Sequence, residues 1–444
     1  MPLTFFGGIK PENNKISKSP IRTVIPDIIY IPLEEDAQVI VEAGDSVDKG
    51  QAVAFSGNEL KFSSVSGVVR EVRRDQDRHY IAVKNDKKDT LYPGLKGVEK
   101  PLKKLSFEEI CKLLREFAIL DGFDGAYAYK KLYARPEGLK RIIINLCEAD
   151  SYASVLHRLL IEKPKELVGG AKILMHALSV KKCILVVEQS KKRDIENLYQ
   201  YVNDPSMFVT AFIENKYPVN EKTIMSAVYG LEVPYGGDSL DLGYIFFGAE
   251  AVIQIYDSFL TGIPQIQKAV TVSGECISAP SNLSVPIGTP LKDLIYECGD
   301  LSGDCGYIVS GSLFNGELLA GIDTIVTQYT GQFLFMRETK KKEGNCVRCG
   351  RCISVCPMHL PPLEYAVSSE KGRDPGERDA YYGISACIEC GCCDYICPAG
   401  VPLLAIIRGV KRKRKPTEEI VRHSKRKLLR KRVNDLDDDV FIPF

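Results

Sequence analysis

Two stretches near the end of the chain decide how it is to be read: CVRCGRCISVCP at residues 346–357 and CIECGCCDYICP at residues 387–398. Each is a Cys-x2-Cys-x2-Cys-x3-Cys-Pro run, the spacing that binds paired [4Fe–4S] clusters. Three thiols on one tight loop reach three corners of a cubane. The fourth, past a short helical turn, points at the neighbouring cluster. Cys346, Cys349, Cys352 and Cys397 are therefore expected on one cluster, and Cys387, Cys390, Cys393 and Cys356 on the other. Gly350 and Gly391 let the backbone wrap close enough for its N–H groups to reach sulfur. Zinc would favour two Cys-x2-Cys knuckles with four ligands per ion, a pattern that two four-cysteine runs ending in Cys-Pro do not follow. Cys392 falls outside the repeat and is expected to be a bystander; His359 is expected to pack beside the first run rather than ligate. No catalytic side chain is assigned.

Those nine cysteines lie among 15 in a chain of 444 residues, the other six being scattered from Cys111 to Cys305. A disulfide framework belongs to small secreted domains, so clustered cysteines in a long chain point to metal in a reducing compartment. The start, Met1 to Pro11, lacks a basic segment followed by an apolar core, which predicts a cytoplasmic chain without a secretory signal. The most apolar stretch, Leu242 to Ile263, contains Glu250 and Asp257 and predicts no transmembrane helix. Net charge is only +1, yet 13 Lys or Arg fall between Arg408 and Arg432 against two acids, Glu418 and Glu419. The body is therefore mildly acidic and the tail strongly basic, suited to an acidic partner or an anionic membrane face. No aromatic residue interleaves those bases, so nucleic acid is not expected as a partner.

Outward from the cysteine runs, the chain reads as a multidomain α/β protein. Residues 1–95 hold short β-rich runs broken by Gly44-Asp45, Lys49-Gly50 and Ser66-Gly67, which predicts a barrel-sandwich hybrid. Lys61 is the candidate for a carrier lysine on a hairpin tip, but it lies only six residues before Gly67, which favours a docking domain instead. Residues 96–235 alternate helix and strand. Ser106 with Glu109 reads as a capping box, and RIIINL (141–146) and KCILVVE (182–188) read as buried strands flanking a helix over 165–178. A Rossmann-like parallel sheet is expected there. Residues 236–335 return to short strands, with a hairpin through Gly274 and a helix opened by Pro290, as in a ubiquitin-like (β-grasp, SLBB) module. Residues 336–410 form the two-cluster ferredoxin domain, and 411–444 the basic tail.

Taken in order, TFFGGIKP (4–11), GDSVDKGQ (44–51), SVSGVV (64–69), LSFEEICKLLRE (105–116), NLCEADSY (145–152), LEVPYGG (231–237), VTVSGECISAPSNLSVPIGTPLKDLIYECG (270–299) and the two cysteine runs resemble the RnfC family of the Rnf complex. That complex is the membrane-bound, ion-translocating ferredoxin:NAD+ oxidoreductase of bacteria and archaea. The middle of the chain resembles the NADH-binding flavoprotein subunit of respiratory complex I. The resemblance implies a peripheral electron-transfer subunit on the cytoplasmic side of the cell membrane. It also implies the complex's other subunits as partners, ferredoxin or NAD(H) as redox partners, and an FMN site.

At the FMN site this chain departs from the family. A loop near GxGGAGFP appears as LDGFDGAY (120–127), keeping Gly122 and Gly125 but introducing Asp121 and Asp124. Those acids are expected to repel a phosphate, and Phe123 and Tyr127 to fill its space. In the family's ECEPY-like string Glu148 and Tyr152 match and Asp150 is conservative, while a later glycine pair is replaced by Val219-Asn220. Gly122, Gly125 and Glu148 remain as the flavin-site candidates, and FMN and NADH binding are expected to be weak or absent. Two alternatives stay open: an RnfC-like soluble carrier serving another reductase, and a flavin-less structural iron–sulfur subunit.

Overall fold

The first domain is built from strands too short to bury a face alone. They are β1 (Arg22–Thr23), β2 (Ile28–Pro32), β3 (Gln38–Val39), β4 (Ser46–Val47), β5 (Ala52–Ser56), β6 (Glu59–Phe62), β7 (Gly67–Arg74) and β8 (His79–Asn85). In the computed structural model, which describes residues 2–11, 17–57, 59–75, 79–234, 236–338, 344–378 and 383–413, two small sheets of order β2-β8-β7-β4 and β3-β5-β6 form this domain. They bury Ile29, Val53, Ile81 and Val83 between them. Lys61 lies within β6 opposite Ala54 and pairs with Glu34 at 2.7 Å. It is part of a strand, not of a hairpin tip, and offers no carrier arm.

The next segment opens with α1 (Phe107–Glu116), whose capping box of Ser106 and Glu109 is formed as the sequence predicts and is worth about 1 kcal/mol. A small hairpin of β9 (Leu120–Asp121) and β10 (Ala126–Tyr127) then leads into α2 (Ala128–Tyr133). The sheet itself is made by β11 (Arg141–Asn145), α3 (Val155–Glu162), α4 (Pro164–Ala177), β12 (Cys183–Glu188), β13 (Phe208–Ile213), α5 (Glu221–Tyr229), β14 (Tyr244–Gly248) and α6 (Ala249–Thr261). Its strands are all parallel, in the order β13-β12-β11-β14. Ile142, Ile143 and Ile144 of β11 are fully buried, because helices cover both faces and leave no polar side for alternation. The strand order reverses between β11 and β14, so their carboxyl ends frame a crevice, the usual ligand position of such sheets. This corrects the expected domain edge at residue 235. The apolar run after Leu242 is not a start of the next module but the fourth strand and a core helix of this sheet.

The third unit holds β15 (Gln267–Gly274), β16 (Ser281–Pro286), α7 (Leu291–Glu297), β17 (Tyr307–Ser310), β18 (Glu317–Leu319) and β19 (Gln332–Met336). Its sheet runs β1-β16-β15-β19-β17-β18, with β15 and β19 parallel at the centre. The β-grasp expectation is met, with one addition: β1, from the first domain's segment, completes the edge.

The cysteine runs follow, with short helices at Arg351–Ser354 and Cys392–Tyr395 and longer ones at Pro362–Glu370 and Leu403–Lys413. The last helix continues past residue 410. Two bases counted with the tail, Arg408 and Lys411, are held by Glu389 at 3.3 and 2.9 Å. The rest of the basic run and the acids Asp435 to Asp439 lie outside the described residues. Among the described residues no helix is long and apolar enough to cross a membrane.

Candidate iron–sulfur site and the adjoining cleft

Each cysteine run places three thiols on a loop because a left-handed glycine turns the chain between the second and third cysteine. Gly350 and Gly391 both have φ of +76°. The short helix that follows carries the fourth thiol away from the loop. The result is two hollows of about 330 and 370 Å³. Cys346, Cys349, Cys352 and Cys397 ring the first, and Cys356, Cys387, Cys390 and Cys393 ring the second. Each ring thus combines three thiols of one run with the last thiol of the other. Among the described residues no three Cys, His, Asp or Glu side chains gather tightly enough to hold a single ion. Zinc would draw its four sulfurs to within about 3.8 Å of one another, whereas a cubane, being larger than an ion, holds its thiolates further apart.

The donor set fits [4Fe–4S] clusters. Backbone amides already address sulfur: Leu360 N–H donates to Cys356 Sγ at 3.4 Å and Glu389 N–H to Cys387 Sγ at 3.3 Å. Burial pushes the Cys352 thiol up to about 11 and that of Cys387 to about 12. These thiols stay protonated at neutral pH on their own, so metal must displace the protons. Cys392 is fully buried beside Tyr217 O rather than in a ring position of the repeat, although it does line the second hollow. His359 stacks on Phe6 with centroids 4.2 Å apart.

The two hollows differ in surroundings. Around the first, Val347 is 65% exposed and Cys349 is exposed. The second faces the body of the protein. Tyr217 Oη donates to Cys390 O at 2.6 Å, and its ring meets Phe314 at 4.4 Å. Gly391 sits so close to the loop after β17 that a Cβ there would stand 2.0 Å from Phe314 O. The segment Leu3 to Lys10 forms a strap over this side. Leu3 extends the sheet beside Ile213, Ile9 and Tyr217 exchange both backbone hydrogen bonds at 2.8 Å, and Gly8 N–H donates to Val355 O at 2.8 Å. Gly7 lies against the Cys356 carbonyl, where a Cβ would come within 2.7 Å. The string TFFGGIKP was legible as a motif, but its sequence position gave no sign that it would pack against the cysteine runs.

The crevice between β11 and β14 is a cleft of about 970 Å³ including its mouth, in the size class of cofactor sites. Asp121, Gly122, Phe123, Asn145, Glu148 and Gly248 line it from the sheet, and Lys268, Ser312, Tyr329 and Gln332 from the β-grasp unit. Of the sequence candidates, Gly122 and Glu148 are in its wall, while Gly125 turns the hairpin with φ of +74° and faces Tyr329. Tyr127 packs beside Tyr129 rather than in the cleft. Glu148 is buried and accepts from His157 N–H at 2.8 Å in the first turn of α3, and Lys191 lies 3.6 Å away. Burial raises its pKa above the carboxylate range. The two acids of the loop are not left to repel alone: Lys131, unremarked in the sequence, pairs with Asp121 and Asp124 at 2.6 Å each. Asn220, at the lost glycine pair, caps α5 through Thr223 N–H at 3.0 Å. The loop Gly311–Phe314 borders the cleft at Gly311 and Ser312 and touches the second cysteine run at Phe314, and Asp150 pins it through Leu313 N–H at 2.7 Å.

Comparison with known proteins agrees with this architecture in every part. Residues 3–87 match the RnfC barrel sandwich hybrid domain, 118–257 the Nuo51 FMN-binding domain, 269–304 the SLBB domain and 345–401 the 4Fe-4S dicluster domain. The third of these supports a β-grasp module, the second supports FMN as the ligand class of the cleft, and the last supports two clusters. Among curated proteins, the RnfC-type component of the proton-translocating ferredoxin:NAD(+) oxidoreductase complex of Clostridium ljungdahlii is 30% identical over 390 residues, 83% of this chain and 85% of that one. Its counterpart in the Na(+)-translocating ferredoxin:NAD(+) oxidoreductase complex of Acetobacterium woodii is also 30% identical, over 83% of this chain and 88% of its own. The counterpart in the ion-translocating oxidoreductase complex of Rhodobacter capsulatus is 29% identical over 81% and 73%. With four domain matches in the family's order and 30% identity along most of its length, the chain belongs to the RnfC family of ion-translocating oxidoreductase complexes.

Proposed function

We propose that this chain is the iron–sulfur electron-transfer subunit of an Rnf-type ferredoxin:NAD+ oxidoreductase, seated peripherally on the complex's membrane subunits. Cys346, Cys349, Cys352 and Cys397 hold an outer [4Fe–4S] cluster; Cys387, Cys390, Cys393 and Cys356 hold an inner one. The observation that carries the reading is the pairing of each three-thiol loop with the last thiol of the other run around one hollow. The clusters, when bound, supply one-electron carriers, and the residues around them set access and potential. The inner site adjoins the loop Gly311–Phe314 that also walls the cleft, so cleft and cluster share one stretch of packed backbone. The outer site, with exposed Val347 and Cys349, is the face for an external redox partner. Ferredoxin and NAD(H), which the relatives' names give, are the redox partners this reading assigns.

The test is Cys356→Ala, purified anaerobically and followed by EPR. It should weaken the cluster of Cys387, Cys390 and Cys393 and leave the other signal intact. Loss of the signal that depends on Cys346 and Cys349 instead would sink the ligand assignment. One observation favours a second reading, an RnfC-like carrier for another reductase: the carboxylates of Asp121 and Asp124 at the cleft. Isolation of the tagged protein with membrane-embedded subunits supports the first reading, and isolation with a soluble reductase the second.

A further inference from the structure

Three helices start at the carboxyl edge of the parallel sheet: α3 beyond β11, α5 after β13 and α6 after β14. In such sheets a cofactor's phosphate sits on the free N–H groups of a helix start, where the helix dipole favours negative charge. Here all three starts are already taken by the chain's own side chains. His157 N–H of α3 goes to Glu148 Oε1 at 2.8 Å, and Thr223 N–H of α5 to Asn220 Oδ1 at 3.0 Å. Gly248 N–H, at the start of α6, goes to the Asp121 carboxylate at 3.0 and 3.1 Å.

The last of these is a complete anion site with the anion built in. Asp121 is fully buried. Besides Gly248 N–H, its carboxylate accepts from Phe123 N–H at 3.0 Å and from Lys131 Nζ at 2.6 Å. It lies so close to the helix start that a Cβ on Gly248 would stand 2.7 Å from Oδ1, leaving no room for a phosphate between them. Lys131 is shared with Asp124, so the group as a whole keeps a net negative charge. The other cation of the cleft, Lys268, is paired with Glu250.

We infer that Asp121 replaces the cofactor's phosphate, so that the cleft accepts the ring system of a flavin but gives its phosphate no grip. The ligand class is then the uncharged isoalloxazine, and riboflavin should bind as well as FMN. The inference rests on the reading of the cleft as a flavin pocket, and the experiment separates the two. The cluster-bearing wild type and Asp121→Gly are titrated calorimetrically with FMN, riboflavin and inorganic phosphate. In the variant Lys131 keeps Asp124 as its partner, which favours folding. Wild type should bind FMN and riboflavin with affinities within about threefold. Asp121→Gly should gain about tenfold for FMN, some 1.4 kcal/mol, with riboflavin unchanged. Wild type preferring FMN tenfold or more, or a variant whose FMN-to-riboflavin ratio does not move, overturns the inference. If neither flavin binds either protein, the flavin reading falls, and phosphate decides alone: saturable binding to the variant but not to wild type upholds the built-in anion, and no difference refutes it. Should the glycine variant fail to fold, Asp121→Asn removes the charge and keeps an acceptor for Gly248. It should then raise FMN affinity by a smaller factor, and no gain refutes the inference.

Discussion

At the scale of single residues, the two glycines of the cysteine runs look equivalent in sequence but not in space. Both take φ of +76°, yet a Cβ at Gly350 would meet open space, whereas one at Gly391 would stand 2.0 Å from Phe314 O. Gly350→Ala should therefore cost only the left-handed backbone penalty, on the order of 1 kcal/mol, and keep both clusters. Gly391→Ala must also push the second loop off the β-grasp unit, and should lower inner-cluster occupancy in iron analysis and EPR while the outer signal persists. Equal effects of the two substitutions would show that the Phe314 contact does not matter. The spacing of the thiols was legible in sequence because metal geometry dictates it. The roles of Phe314, Tyr217 and Lys131 were not, since each acts across a long sequence separation and carries no local pattern.

At the scale of elements, the strap Leu3 to Lys10 joins two domains through backbone contacts alone. Gly8 bonds Val355, and Gly7 abuts the carbonyl of Cys356, the thiol assigned to the inner cluster. Gly7→Ala should displace that elbow and lower inner-cluster content and Tm together, whereas Phe6→Ala, which removes a half-exposed stack on His359, should leave both clusters in place. Retention of full iron by Gly7→Ala would show that the strap is dispensable for cluster assembly. Helices and strands with strong local signals were readable in advance, such as the capping box of α1 and the isoleucines of β11. The domain edge at residue 235 was misplaced because Tyr244–Gly248 is too short to declare its sheet; only its parallel pairing with β11 does so. Strand β1 was likewise unreadable as part of the β-grasp sheet, being two residues long and paired across some 260 residues.

At the scale of the whole molecule, the order of domains places an outer cluster site near solvent, an inner one against the body, and a cofactor cleft behind it. The basic run then has a definite root. Arg408 and Lys411 clamp Glu389 beside the inner site, so only the bases beyond Lys413 are left for a partner. A truncation after Lys413 should keep both clusters but lose co-sedimentation with anionic vesicles at low salt, at roughly 1 kcal/mol per base near the surface. Equal sedimentation of both forms would remove the tail from the mechanism. The overall plan was legible because each domain repeats a recognisable string in a fixed order; the filling of the cleft by Asp121 was half legible, as an acid where glycine was expected, but its partners appear only in three dimensions. The central claim is that the two crossed thiol rings hold two [4Fe–4S] clusters, and iron and acid-labile sulfide analysis of the anaerobically reconstituted chain, with EPR of the reduced protein, tests it most directly. The account predicts about eight iron and eight sulfide per chain and two interacting reduced-cluster signals; about four iron with a single signal, or zinc in place of iron, would contradict it.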